Sequence, residues 1–240
     1  MSGANYQQIP SLPIRDEFMA LLKTEWTRQV ACQNECHPPE SCSCQRTIVH
    51  VHDLEAWWKK PASGNPKNTN WEQFVYGLPL LPGRNLPITP KKIFGGGQSR
   101  LRILSLLIRQ KRDRLIDCFY EANMHDHYMD RSEDYQRLRE QLADVVRKEE
   151  VEPIINAFHK EKWEFCPLTL TSDMSIDLRG MEVIPPFCMK IKLPKKGGTA
   201  SIYWVAVQKA LISDDALALA LKDSLYMDKT HGEVGSLAPD

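Results

Sequence analysis

No stretch of this sequence approaches the roughly 18 consecutive apolar residues that a membrane-spanning helix requires. Its opening residues, MSGANYQQIPSLPIRDEFMALL, also lack the basic run and uninterrupted apolar core of a secretory signal. The expectation is an intracellular protein, cytoplasmic or nuclear, with no membrane partner. An excess of charge is missing too. Thirty-one Lys and Arg stand against thirty-one Asp and Glu, so no overall field draws the chain to nucleic acid or anionic lipid, and no nucleic-acid partner is expected. Without an export signal, the seven cysteines read as thiols and not as a disulfide framework. What is present, across 240 residues with 42% hydrophobic and 26% charged side chains, is an ordinary globular composition. It is enough for one large domain or two small ones.

Charge is balanced overall but not locally. From Arg84 to Arg114 there are nine basic residues and one acidic, whereas Asp117 to Glu152 holds eleven acidic and five basic. Adjacent segments of opposite sign are expected to dock on each other.

Ser11 and Pro13 can start a helix whose Ile14, Phe18, Leu21, Leu22, Trp26 and Val30 recur at three- and four-residue spacings. CQNECHPPESCSCQ reads as a loop, because paired prolines and clustered Asn and Ser oppose regular structure. TIVHVHDLEAWWKK alternates apolar and His residues as a strand, after which Asp53 offers a cap to a short helix carrying Trp57 and Trp58. Another helix is expected from about Trp71 to Tyr76, and GLPLLPGRNLPITPKK, with four prolines in sixteen residues, predicts an extended linker. Ser99 then caps the clearest helix, with Leu101, Leu104, Leu107 and Ile108 on one face. Further helices carry Leu115, Ile116 and Phe119, then Tyr135, Leu138, Leu142 and Val145 up to a stop at Pro153. Val151, Ile154, Ile155 and Phe158 complete a four-helix region packed on itself.

From Trp163 the texture changes to short runs, WEFCPLTL, FCMKIKL and SIYWVAV, which read as strands between Pro and Gly turns. Helices first and strands afterwards predict an α+β class, mainly helical with a small antiparallel β-hairpin region. The divisions that follow are a helical and loop region with a Cys-rich loop over 1–83, a Pro/Gly linker over 84–97, a helical module over 98–160 and a β-rich region over 161–240.

Three groupings of residues could carry chemistry. Cys32, Cys36, Cys42 and Cys44, with His37, His50 and His52 nearby, supply enough soft ligands for a tetrahedral zinc site. The spacing, C-x3-C-x5-C-x-C, lacks the paired C-x2-C knuckles of structural zinc sites, so the alternative is a surface loop with incidental thiols. The two histidines of VHVH would share one face of a strand. His125 and His127 with Asp126 and Asp130 suggest a metal or acid–base cluster, but they lack H-x-x-x-H spacing and a companion nucleophile motif, so a polar interhelical loop is the better reading. Finally, Met189, Ile191 and Leu193 alternate as one strand and Ile202, Val205 and Val207 lie on a returning one, with Gly197 and Gly198 at the turn. Such a glycine tip lets backbone amides approach phosphate closely, or serves as a plain structural turn.

In order, RLRILSLLIRQKRDRLIDCFYEANMHD, EKWEFCPLTLT and VIPPFCMKIKLPKKGGTASIYWVAV resemble the region that leads into the catalytic domain of filamentous-fungal serine/threonine protein-kinase-like proteins. The similarity covers roughly residues 98–212. It implies that the β-rich part is like the start of a kinase N-lobe, with Gly197 and Gly198 near ATP phosphates. Against the kinase pattern G-x-G-x-x-G-x-V, Gly197 keeps the middle glycine place, Lys195 and Ala200 stand where the outer glycines would be, and Ile202 takes the valine place. Lys222, ending LALALK, is the candidate phosphate-anchoring lysine if that run is a strand. If SDDALALALKDSLY is instead a helix capped by Ser213, Lys222 is surface. No H-R-D or D-F-G motif occurs in these residues, and phosphoryl transfer depends on both. The resemblance therefore implies a truncated, non-catalytic, pseudokinase-like protein that binds ATP weakly at most, needs no cofactor, and acts on another protein as an interaction or regulatory module. Two alternatives stay open: the N-terminal portion of an active serine/threonine kinase, and a zinc-binding interaction module centred on Cys32–Cys44.

Overall fold

The computed structural model describes residues 13–30, 46–78, 88–129, 135–172, 174, 182–193, 203–221, 226–228 and 232–237. The first amphipathic stretch forms helix α1 (Pro13–Leu21), with proline at its first position, where a missing N–H costs nothing. A wider π-type turn, Leu22–Trp26, continues it. Ile14, Phe18, Leu22 and Trp26 are buried along one side, as their spacing predicts. The helix does not run on to Val30 as its apolar spacing suggests: Thr27–Gln29 is strand β1, which pairs antiparallel with β2 (Thr47–Val49), with Arg28 opposite Ile48.

Helix α2 (Val51–Lys59) starts three residues earlier than expected, and its N-cap is His50, not Asp53. Asp53 sits in the first turn and faces back to His50 Nδ1 at 3.4 Å. The strand ends at Val49, so the histidines of VHVH open a helix and do not share a strand face. A short hairpin of β3 (Pro61–Ala62) and β4 (Asn65–Thr69) leads into α3 (Asn70–Tyr76). Thr69 and Glu72 close its N-terminus as a capping box. Residues 79–87 of the proline-rich stretch lie outside the described residues, but its end is helical, not extended. Pro90 starts α4 (Pro90–Phe94), and Thr89 Oγ1 accepts from the Lys92 amide at 3.4 Å.

Helices α5 (Leu101–Arg109), α6 (Ile116–Glu121), α7 (Gln136–Ala143) and α8 (Lys148–Glu161) follow. Pro153 does not stop a helix. It lies in the second turn of α8, where it removes only the bond to the Glu149 carbonyl, while Val151, Ile154, Ile155 and Phe158 bury the face that holds the helix in place. WEFC is a 3₁₀ turn (Lys162–Phe165), not a strand, and Leu170 joins Ile212 through a single parallel bridge. The other two runs are strands. β5 (Phe187–Lys192), β6 (Tyr203–Gln208), β7 (Tyr226–Asp228) and β8 (Gly232–Leu237) form an antiparallel sheet in the order β5-β6-β8-β7, with the short helix α9 (Asp215–Ala220) between β6 and β7. The class is α+β and mainly helical.

The helices over 98–160 do not pack on themselves alone. Leu101, Ile103, Leu104, Leu106, Leu107 and Ile108 of α5 are all buried. An apolar surface that runs nearly round a helix needs partners on several sides, and α5 packs on α1 and α2 as well as on α6 and α8. One buried cluster therefore runs from Ile14 to Cys166 and draws residues from both sides of 84–97. Its densest part is aromatic. Trp58 lies 5.0 Å from Phe18, 4.8 Å from Trp57 and 5.6 Å from Phe74 between ring centroids. A second, smaller cluster of Val30, Ile48, Trp163, Ile184 and Leu211 forms the seam between the helical body and the sheet.

Candidate functional site

Gly197, Gly198 and Lys222, and the four thiols Cys32, Cys36, Cys42 and Cys44, lie outside the described residues. The flanks of the glycine turn are described. β5 and β6 pair antiparallel with Ile191 opposite Trp204 and Lys192 opposite Tyr203. The Lys190 ammonium sits over the Tyr203 ring at 4.3 Å. Beyond β6, residues 215–220 are helical, and the cap is Asp214, not Ser213. Asp214 accepts from the amides of Ala216 (2.7 Å), Leu217 (3.3 Å) and Ser172 (2.8 Å) and from the Ser172 hydroxyl. These bonds, led by the Ser172 hydroxyl, hold its carboxyl down to about 2. Among the described residues no three His, Cys, Asp or Glu side chains converge as metal ligands.

Residues 123–129 form a helix-capping turn, and Asp130 lies outside the described residues. The Asp126 carboxylate accepts from the amides of Arg102 and Ile103, each at 3.1 Å, and from the Ser99 hydroxyl at 2.8 Å. Ser99 Oγ accepts from the Leu101 amide at 3.3 Å. The N-cap position of α5 is Arg100 and not Ser99, and its start is closed by the Ser99 hydroxyl one residue earlier together with an aspartate from a distant turn. Burial pushes the Asp126 carboxyl above the usual aspartate range, against these hydrogen bonds and nearby Arg102, which favour the charged form. A folded-state pKa above the unfolded one means that the native state holds the proton more tightly. The contribution of this group is therefore full below the ordinary aspartate pKa and declines as pH rises through the raised value. Asp126→Ala is expected to cost about 1–2 kcal/mol in urea unfolding at neutral pH, the range of a lost helix cap. Asp126→Asn should recover part of that loss and flatten the pH dependence.

A cavity of about 220 Å³ opens between the helical body and the sheet. One wall is the first turn of α2, from His50 to Asp53, with Glu55 and with Arg102 of α5. The other is Pro167, Thr169, Gln208, Ala210 and Leu211. Arg102 Nε donates to Glu55 Oε1 at 3.3 Å. Gln208, at the end of β6, is 3% exposed, and its carboxamide nitrogen is buried without a hydrogen-bond partner. Sequence reasoning missed this site. Its only signal is a glutamine closing the apolar run YWVAV, and nothing local indicates that α2 faces it.

A polar tie fastens the same two parts elsewhere. His159 of α8 meets Glu182 Oε2 through Nε2 at 3.0 Å and the Tyr135 hydroxyl through Nδ1 at 3.3 Å. The Trp163 indole N–H donates to the same Glu182 oxygen. Three segments distant in sequence are joined by these groups, which makes them a fastening for the strand leading into the sheet. Compared with known proteins, the chain matches no family model, no curated protein and no solved structure.

Proposed function

We propose that this chain is a protein-interaction and regulatory module of the kinase-like kind, whose own residues bind a partner and do not transfer phosphate. The observation that carries this reading is the outer side of the sheet. β5 is one of the two terminal strands of the sheet among the described residues. Ile191 and Trp204, 42% and 36% exposed, lie directly opposite each other across β5 and β6. A strand at the end of the sheet order beside an exposed apolar pair suits an extended segment of another protein, which would lay an apolar side chain on Trp204. The helical body, with its own continuous core, serves as the rigid base for that surface.

A photo-crosslinking residue at position 191 tests the binding arm. It should form a protein adduct that one at the more accessible Tyr76, 65% exposed, does not. Equal labelling at both positions would count against the surface. For the nucleotide arm, a thermal melt with about 1 mM MgATP should barely move, because a ligand well below its Kd adds almost nothing to stability, whereas a hundredfold excess adds about 2.7 kcal/mol. A rise of several degrees that disappears in Lys222→Ala, together with phosphate incorporation, would overturn the reading.

A further inference from the structure

We propose that the cavity at the start of α2 binds a phosphate-sized oxyanion, taken as free phosphate or as a phosphate monoester. This goes beyond the partner-binding surface above and does not depend on it. α2 is nine residues long, and its N-cap, His50, supplies no side-chain acceptor to the first turn. The amides of Val51, His52 and Asp53 are those that an α-helix leaves without an internal partner, and together with the aligned peptide dipoles they make this end attractive to an anion. All three residues line the cavity.

The second, independent observation is Gln208. Its side chain is brought to the same cavity by β6, from the other side of the seam, and its buried amide nitrogen donates to nothing in the protein. A native interior rarely leaves such a donor unsatisfied. An oxyanion on the α2 amides would accept from it. Arg102 completes the set, since it lines the cavity with its Nε engaged by Glu55.

Two carboxylates also stand on the wall. Asp53 faces His50 Nδ1 at 3.4 Å, and Glu55 lies against Arg102 at 3.3 Å and against Lys59 at 3.9 Å. Glu55 is thus already set against two cations and Asp53 against the His50 ring, and the anion is held by the helix end and Arg102. Val51, Pro167 and Leu211 provide apolar wall that keeps bulk water from competing for the donors.

The test is an amide-resolved NMR titration of the full chain with sodium phosphate, at ionic strength held constant with sodium chloride. Saturable shifts of the Val51, His52 and Asp53 amides are expected, with Kd of about 1 mM or tighter. Gln208→Met, similar in size, removes the donor and a buried unsatisfied group. It should fold with an unchanged or higher Tm and bind phosphate at least tenfold more weakly. Arg102→Gln should weaken binding too and covers the case in which the first variant does not fold. Saturation with phenyl phosphate as well supports the proposal and assigns a monoester, whereas saturation with phosphate alone supports it and assigns the free ion. Shifts that stay linear to about 50 mM phosphate, that acetate reproduces, or that keep their Kd in both variants would overturn it.

Discussion

Trp58→Ala is expected to lower the stability of the protein by about 3–5 kcal/mol in denaturant unfolding, the range for removing a large buried aromatic. Trp58 is fully buried at the centre of the aromatic group formed by Phe18, Trp57 and Phe74. Its truncation would empty the space where α1, α2 and α3 meet. The indole also carries a polar link, because Nε1 donates to Ser105 Oγ at 2.9 Å and that hydroxyl donates in turn to the Leu101 carbonyl at 2.6 Å. α2 is thereby tied to α5 inside the core. Trp58→Phe, which keeps most of the apolar mass but loses the N–H, should cost distinctly less than the alanine variant. A loss below about 1 kcal/mol for Trp58→Ala would mean that the N-terminal helices do not share a core with α5.

Leu104→Ala should cost about 2–5 kcal/mol on the same measurement. Leu104 is fully buried in α5, the helix on which α1, α2, α6 and α8 converge. Helices on several sides limit how far the surroundings can collapse into the space left, which places the expected value in the upper part of that range. The two substitutions lie on opposite sides of the proline-rich stretch 84–97 and yet act on one buried cluster. Both are therefore expected to lower a single cooperative transition, not to split it into two. A biphasic unfolding curve in either variant would show two independently folding parts.

The opposed charge runs illustrate how far local pattern reaches. Docking between them occurs where Lys92 meets Glu121 at 3.7 Å and where Asp126 takes the amides of Arg102 and Ile103. Two arginine side chains of the basic run turn elsewhere. Arg102 pairs with Glu55, and Arg109 lies between Glu161 and Glu164 at 2.9 and 2.7 Å while its guanidinium covers the Phe165 ring. Arginines choose among carboxylates by which ones the packed helices bring within reach, and sequence distance says little about that.

By itself the sequence determined the elements whose signal is local: the start of α1, though not its end before β1, and α5 from apolar spacing, β5 and β6 from alternation, and the order of helices before strands that makes the class α+β. It misread the start of α2 because VHVH alternates like a strand, and alternation over four residues cannot be told from a helix N-terminus until its amides are placed. It also read WEFC as a strand, although Trp163 and Phe165 are buried within a 3₁₀ turn. Tertiary structure alone decided that α5 is capped by Asp126 as well as by Ser99, that helices on both sides of 84–97 share one core, and that Gln208 meets the start of α2 across a cavity. The reason is physical. Periodicity reports which face of an element is apolar, whereas the partner of a cap, a core face or a buried amide is set by the path of the whole chain, since those contacts form only after distant segments have packed.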